Sequence, residues 1–547
     1  MNPFPQRQGR FVFASVAPAI AATLIGSVNL VANDAFVETG LETVVVQTVA
    51  MQEANPQPAQ APQPVAMQES VATPQAPTYQ NATPSPSCNC CNTTCCTKKR
   101  KEAATAKMKS AFGGLFYAND FSYLTDPCYN GPALLGDSLK DMNTPIGKLS
   151  VGGETRFRYH NERNHRGVGI TGKDDNFWLS RQRLYADWKI NDTFRVYGEV
   201  LDANSMGETF TPRPIEENDM DVLNLFVDIK LIDSGSEKLT ARAGRQELLF
   251  GAQRTVSPLD WANTRRTFEG VRMLYQNGDT SVDAFWTEFV PVDPTGGDVS
   301  DTNQQFYGVY ASQKGTPTGV FDAYYLGYDN HTVGFSQHTI GSRVVGKTDS
   351  GMLYDFEGAF QFGEDATASS HEAGFFTAGL GRKYESNLVS PTIWAYYDYA
   401  SGEDDFNQVG RGDGGYDHLF PLAHKYNGFM DLFGRRNLHD FNVLTTAPLT
   451  KKISLVLWYH YFRMVEDTTP YSVVMTPYNS TTQAESKDLG HEIDVLFNIN
   501  LNPRNNVLLG YSHFAGGDYY DTPGIMPAAA GNDADADFFY GQFQTRY

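Results

Sequence analysis

From residue 149 to the last residue, apolar and polar side chains alternate in short runs bounded by turn residues. The final run shows the pattern most plainly. Phe539, Gly541, Phe543, Thr545 and Tyr547 fall on one face, and Phe538, Tyr540, Gln542, Gln544 and Arg546 on the other, which turns polar toward its end. Successive side chains of a β-strand point to opposite sides, so a two-residue period marks strands. Strands with one apolar and one polar face suit a transmembrane barrel, whose outside meets lipid and whose lumen is wet. An aromatic last residue such as Tyr547 is also what outer-membrane barrels offer their assembly machinery.

The pattern predicts strands near 149–159, 175–189, 192–202, 221–232, 237–246, 266–276, 279–289, 304–313 and 319–328. It continues near 337–347, 351–362, 372–382, 389–400, 439–447, 452–464, 489–500, 505–515 and 535–547. Bacterial single-chain barrels have even strand counts, and this count of about 18 is even. Connections alternate between short turns, such as Ile190-Asn191, Asn277-Gly278 and 502–504, and long ones, such as 203–220, 247–265, 401–438, 465–488 and 516–534. Barrels keep short turns in the periplasm and long loops outside, so both ends of this barrel belong in the periplasm. The expected fold is all-β, a single transmembrane antiparallel barrel over 149–547 preceded by a disordered extension.

Composition agrees with this expectation. Aromatics make up 13% of the chain while mean hydropathy is −0.40, a pairing foreign to helical membrane proteins and natural for a barrel with aromatic girdles. The front of the chain differs. An Ala-rich apolar stretch from Phe11 to Ala32 follows Arg7 and Arg10, as in a secretory signal spanning 1–32. Residues 33–113 then form a linker rich in Pro, Gln and Ala, unable to bury a core and so expected to be disordered, and 114–148 form a lead-in. The linker ends in Cys88, Cys90, Cys91, Cys95 and Cys96, followed by the basic run Lys98 to Lys101. Those cysteines suit thiolate metal binding or disulfide cross-linking in an oxidising compartment, and Cys128 is available to pair with them. The basic run suits anionic envelope material better than nucleic acid.

Arginine is concentrated between residues 150 and 272. In the first strand Glu154, Arg156, Arg158 and His160 lie opposite Val151, Thr155, Phe157 and Tyr159. In the second, Arg181, Arg183, Tyr185 and Asp187 lie opposite Leu184, Ala186 and Trp188. Arg195 and Glu199 continue the charged face, and Arg242, Arg245, Arg254, Arg266 and Arg272 follow. An arginine facing lipid at mid-membrane costs roughly 2–4 kcal/mol, so the charged face must be the lumen. Guanidinium holds carboxylates in a two-pronged fork and stays charged, which suits a polyanion pathway. The same charges also suit a structural network that stiffens the wall.

One segment speaks for transport. Residues 244–254 (GRQELLFGAQR) and 257–272 (SPLDWANTRRTFEGVR) closely resemble the signature of the alginate export family of outer-membrane barrels. Residues 417–431 (DHLFPLAHKYNGFMD) resemble that family's long-loop motif, with Asn427 where a second aromatic is expected. The resemblance covers 149–547 and implies an eighteen-stranded barrel in the cell outer membrane whose arginine-lined lumen passes an acidic, alginate-like polysaccharide. Its implied partners are that polysaccharide, outer-membrane lipid, the barrel assembly machinery and periplasmic export components, with no nucleic acid and no cofactor. A general or anion-selective diffusion porin for small solutes is the alternative. The 247–265 connection, with its own Arg and Asp residues and Trp261, is expected to fold inward over the pore. Glu269 falls on the lipid side with Val271, at odds with its charge.

An enzyme is not expected. Ser512-His513 and Ser336 with His338 lack the strand–turn–helix setting of a nucleophile elbow. The net charge of −20 argues weakly against a polyanion partner, but many of the acids, among them Glu403, Asp417, Asp467 and Asp521, fall in outer loops.

Overall fold

The computed structural model describes residues 98–367, 369–386, 389–409 and 414–547. The signal, most of the linker and the five clustered cysteines lie outside the described residues. A short strand β1 (Met142–Asn143) precedes β2 (Lys148–Arg163), β3 (Asp175–Lys189), β4 (Phe194–Met206), β5 (Asn218–Ser234), β6 (Glu237–Gln246) and β7 (Thr267–Asn277). Next come β8 (Thr280–Val290), β9 (Asp301–Thr316), β10 (Gly319–Asn330), β11 (Phe335–Lys347), β12 (Met352–Glu364) and β13 (Ser370–Lys383). The last are β14 (Thr392–Ala400), β15 (Leu438–Pro448), β16 (Ile453–Arg463), β17 (Asp488–Asn502), β18 (Asn505–Gly516) and β19 (Ala536–Arg546).

From β2 onward every strand pairs antiparallel with its neighbours in sequence, and β19 returns to pair with β2, Phe543 opposite Phe157 and Gln544 opposite Arg156. The result is a closed barrel of eighteen strands, each at the place its alternation predicts. The seam is finished by the last residue: the Tyr547 N–H donates to Gly153 O at 3.0 Å, and the Gly153 N–H to Tyr547 O at 2.8 Å. A Cβ at Gly153 would collide with the Arg183 carbonyl, so the strands there approach as closely as only glycine allows. Below the end of β19, β1 takes the free edge of β2, with Met142 opposite Leu149.

The two faces separate as their side chains demand. Phe157, Leu184, Val271, Phe441 and Phe543 are exposed on the outside, where lipid replaces water. Arg156, Arg158, Arg181 and Arg183 are buried inside. Burial inside a barrel requires something to cover the wall, and three segments do so. The loop between β6 and β7 (L3, 247–266) and the loop between β14 and β15 (L7, 401–437) enter from the outer side. From the periplasmic side comes the lead-in, which begins in a helix α1 (Lys98–Lys109) within the range composition assigns to the linker. Ala111 and Phe112 are already buried, so the ordered structure starts well before residue 114. Cys128 in the lead-in is disulfide-bonded.

Candidate functional site

Arg156 and Arg181 stand directly opposite each other on β2 and β3, and Glu154 opposite Arg183. Two guanidinium groups side by side repel unless acceptors are placed between them. L3 supplies these. Arg156 donates to the carbonyls of Asp260 at 2.9 Å and Ala262 at 2.5 Å, and Arg181 reaches both carbonyls at 3.2 Å. The Asp260 carboxylate lies 2.9 Å from Arg181 and also bonds Arg265, while Glu154 holds Arg181 from behind at 2.6 Å. Burial would raise the Asp260 carboxyl, but Arg265, Arg181 and Arg156 outweigh it and hold it well below the usual carboxylate range. Its side chain is nonetheless 45% exposed, unlike the fully covered arginines around it. The L3 tip thus places one accessible carboxylate in a nest of cations.

The neighbouring residue clamps the loop. The Arg158 guanidinium lies 3.8 Å over the Trp261 ring and donates to the Trp261 carbonyl at 2.7 Å. Trp261 stacks on His424 of L7, and His424 on Phe429. The two loops also share backbone: Val256 and Phe420 form a parallel bridge, with Ser257 N donating to Phe420 O at 2.8 Å and Leu422 N to Gln253 O at 3.0 Å. Gln253, Leu259, Leu419, Asp431 and Asn437 all have positive φ, five of the eight non-glycine residues among those described that do. Such conformations cost about 1–3 kcal/mol each and persist only where surroundings dictate them. The docked loops are therefore held in one specific form.

The lead-in closes the other end with aromatic and ionic contacts. Phe116 lies under Arg183 at 3.9 Å, and Tyr117 under Arg242 at 4.4 Å. The Tyr117 hydroxyl donates to Glu247 O of L3 at 2.6 Å, and Arg195 donates to Tyr117 O at 2.7 Å. A latch at the periplasmic turn before β18 completes it: Arg504 lies 2.8 Å from the Asp137 carboxylate, which also accepts from the Tyr123 hydroxyl at 2.6 Å. Burial would raise Asp137, but bonds from Tyr123, the Leu134 N–H and Arg504 outweigh it and lower it.

Of the arginines expected in the lumen, Arg156, Arg158, Arg181, Arg183, Arg195, Arg242 and Arg272 line its wall, as do Asp187 and Glu199. Each has an acidic or carbonyl partner: Arg183 meets Glu199 at 2.7 Å, Arg195 meets Asp187 at 2.7 Å and Asp228 at 3.2 Å, Arg242 meets Asp228 at 2.7 Å, and Arg272 meets Asp283 at 2.8 Å. Arg254 and Arg266 are inside but belong to L3. Arg254 is fully buried between Asp355 and Glu357 of β12, at 2.8 and 2.7 Å, and Arg266 donates to Pro421 O of L7 at 3.2 Å. Both tie loops; Arg254 faces no open space, and Arg266 is half-buried.

Arg245 does not line the lumen. It lies three residues past Arg242, on the opposite face of β6, and pairs at 3.2 Å with Glu269, its register partner on β7 near the outer rim. The same pair accounts for Glu269 on the lipid side: two outward charges neutralise each other where the strand leaves the membrane. Glu403 and Asp417, counted by sequence among outer-loop acids, also turn inward, Glu403 buried against Arg436. Ser512 and His513 point to opposite faces, Ser512 inward to Asp494 at 2.5 Å and His513 outward to Asp537 at 3.0 Å, and so cannot act together.

Across the lumen stands a wall that arginine counting overlooks. Asp440 holds His460 at 2.9 Å, His460 lies 3.8 Å from Asp494, Glu492 accepts from the Met430 N–H of L7 at 2.9 Å, and Asp398 takes Arg435 at 2.9 Å. The signal was present: these acids occupy successive inward positions of β14, β15 and β17. No group of described residues is arranged to hold a metal ion.

A closed eighteen-stranded antiparallel barrel with an apolar outer belt and a charged lumen is an outer-membrane channel. The chain belongs to the alginate export family, whose model matches residues 147–529. Two solved structures share the fold. OpdK of Pseudomonas aeruginosa, crystallised with vanillate, is 12% identical with a TM-score of 0.50, the match covering 73% of this chain and 98% of that one. OccK8 (OprE) of the same organism is 13% identical, with the same TM-score and coverage. No curated protein matches the chain. The two segments that carry the family resemblance, around 244–272 and 417–431, are the two loops that meet inside the lumen.

Proposed function

We propose that the channel passes an acidic, uronate-type polysaccharide across the outer membrane, and that its lumen opens when the polymer displaces the segments now covering the arginine wall. The observation that carries this reading is Asp260. Its half-exposed carboxylate is held by Arg181 and Arg265 beside Arg156, where a sugar carboxylate would find the same partners. A polyuronate offers such groups in series, and exchanging one carboxylate for another costs little because the cations stay neutralised throughout. Acids behind the arginines, Glu154 and Glu199, keep any single site from holding too tightly, as passage requires.

A second reading, a diffusion channel for small anions, is favoured by the presence of L3, L7 and the lead-in inside the barrel. The two differ in solute size. Proteoliposomes carrying the protein should take up acidic oligosaccharides of increasing length and exclude neutral ones of equal length. Arg156→Gln with Arg181→Gln should abolish that preference. Uptake limited to monosaccharide-sized anions would favour the second reading, and uptake indifferent to charge would remove both.

A further inference from the structure

On the outer surface of the barrel, near the extracellular ends of β15 and β16, lies a groove of about 450 Å³. Phe441 and Tyr461 form its apolar floor, and His439, Arg463 and Lys487 its upper edge. The setting is membrane-facing: Phe441 is exposed on the lipid side, while its chain neighbours Asp440 and Asn442 face the lumen. Arg463 and His439 are register partners on adjacent strands, and Lys487 lies just before β17. Outward arginines are costly near lipid, and Arg245 shows how this barrel compensates one, with Glu269 directly opposite. Arg463 has no such compensation. It is exposed and makes no ion pair among the described residues, and its register partner on β17, Asp488, is not bonded to it. Lys487 is only partly neutralised, at 3.5 Å from Glu466.

We propose that this groove binds a phosphorylated lipid headgroup of the outer leaflet. A phosphate on the groove's upper edge would meet Arg463 and Lys487, with His439 beside them, and the rings of Phe441 and Tyr461 would lie against the apolar part of the same molecule. Several features select that occupant. The uncompensated charge is cationic and sits at the level of the interface, where headgroup phosphates lie. The floor beneath it is aromatic, as in the girdles that meet lipid. His439 is fixed by a 2.9 Å hydrogen bond between the Tyr397 hydroxyl and Nδ1, which leaves its other ring nitrogen for a ligand.

The test uses the full chain in nanodiscs containing lipid A, with retained lipid counted by native mass spectrometry. Bisphosphorylated lipid A should be retained, and dephosphorylated lipid A and phosphatidylethanolamine should not. Arg463→Gln with Lys487→Gln should reduce retention roughly tenfold or more, Arg463→Lys should keep most of it, and Arg245→Gln should leave it unchanged. Equal retention of the phosphorylated and dephosphorylated lipids, or no loss in the double variant while heat-modifiable barrel is normal, would overturn the proposal. Displacement of the lipid by millimolar inorganic phosphate would likewise overturn it, reassigning the edge to a free anion.

Discussion

Arg254 and Asp260 lie six residues apart in one loop and are predicted to respond oppositely to substitution. Arg254 helps neutralise two buried carboxylates, so Arg254→Gln leaves Asp355 and Glu357 to Arg343 alone, 2.8 and 3.9 Å away. Removing one partner of a buried network costs about 3–5 kcal/mol, and this variant should show a marked loss of thermal stability by circular dichroism. Asp260 is half exposed, and Arg156 and Arg181 keep their carbonyl or Glu154 partners without it, so Asp260→Asn should lower thermal stability less than Arg254→Gln does. It should, however, tighten block of the channel by uronate oligomers by roughly three- to tenfold, because an internal competitor is gone. Unchanged block in Asp260→Asn would mean that the carboxylate is only a loop tie. The charged lumen face was legible at this scale from alternation alone, through Arg156, Arg158, Arg181 and Arg183. Arg245 departs from the lumen face because it stands an odd number of residues past Arg242, and the two-residue period turns it outward to Glu269. The partners were not legible, since Arg254 and Asp355 are 101 positions apart and no local pattern links them.

Elements show the same division. All eighteen strands announce themselves through a two-residue period, because lipid and lumen impose it on every strand alike. The lead-in carries no period, because its aromatics are placed by irregular turns against a wall contributed by β3, β4 and β5. Its hold on the barrel depends on pH through Asp137. The folded-state carboxyl titrates below its usual 3.8, so the latch to Arg504 is fully present above that value and is lost as pH falls through the lowered one. Lys140, brought down to about 8 by burial and by Arg504, favours the docked segment further as pH rises from 8 toward 10.5. Channel openings should therefore become more frequent on acidifying below about pH 4, and Asp137→Asn should open often already at neutral pH with that step removed. Openings of the parent protein that do not change on acidifying, or an Asp137→Asn variant that opens no more often than the parent at neutral pH, would mean that the latch does not hold the segment. Tyr547 acts at the same scale: its deletion removes the last pairs to Gly153 and should leave unassembled protein in the periplasm, which normal yields of heat-modifiable barrel would contradict.

At the scale of the whole molecule, short turns at one rim and long loops at the other fix the orientation. Cysteines introduced in 465–487 should react with an impermeant thiol reagent on intact cells, whereas those at Asn277 or Asn502 should not; reversed labelling would invert the barrel. The family signature acquires a physical meaning here. Its two segments are far apart in sequence and meet in this chain at Val256 and Phe420, as a pair of loops crossing the lumen over an arginine wall. Removal of the cover is thus the most direct test of the account. In planar bilayers the full chain should conduct rarely, and a variant lacking residues 98–141, with the L3 tip 258–264 replaced by a short Gly-Ser linker, should open to a steady, anion-preferring conductance that acidic but not neutral oligosaccharides block. That block should weaken as salt rises from 0.1 M to 1 M, where the screening length falls from about 10 Å to 3 Å. A shortened protein that conducts without charge preference, or stays closed, would contradict the claim that a masked arginine wall is the pathway.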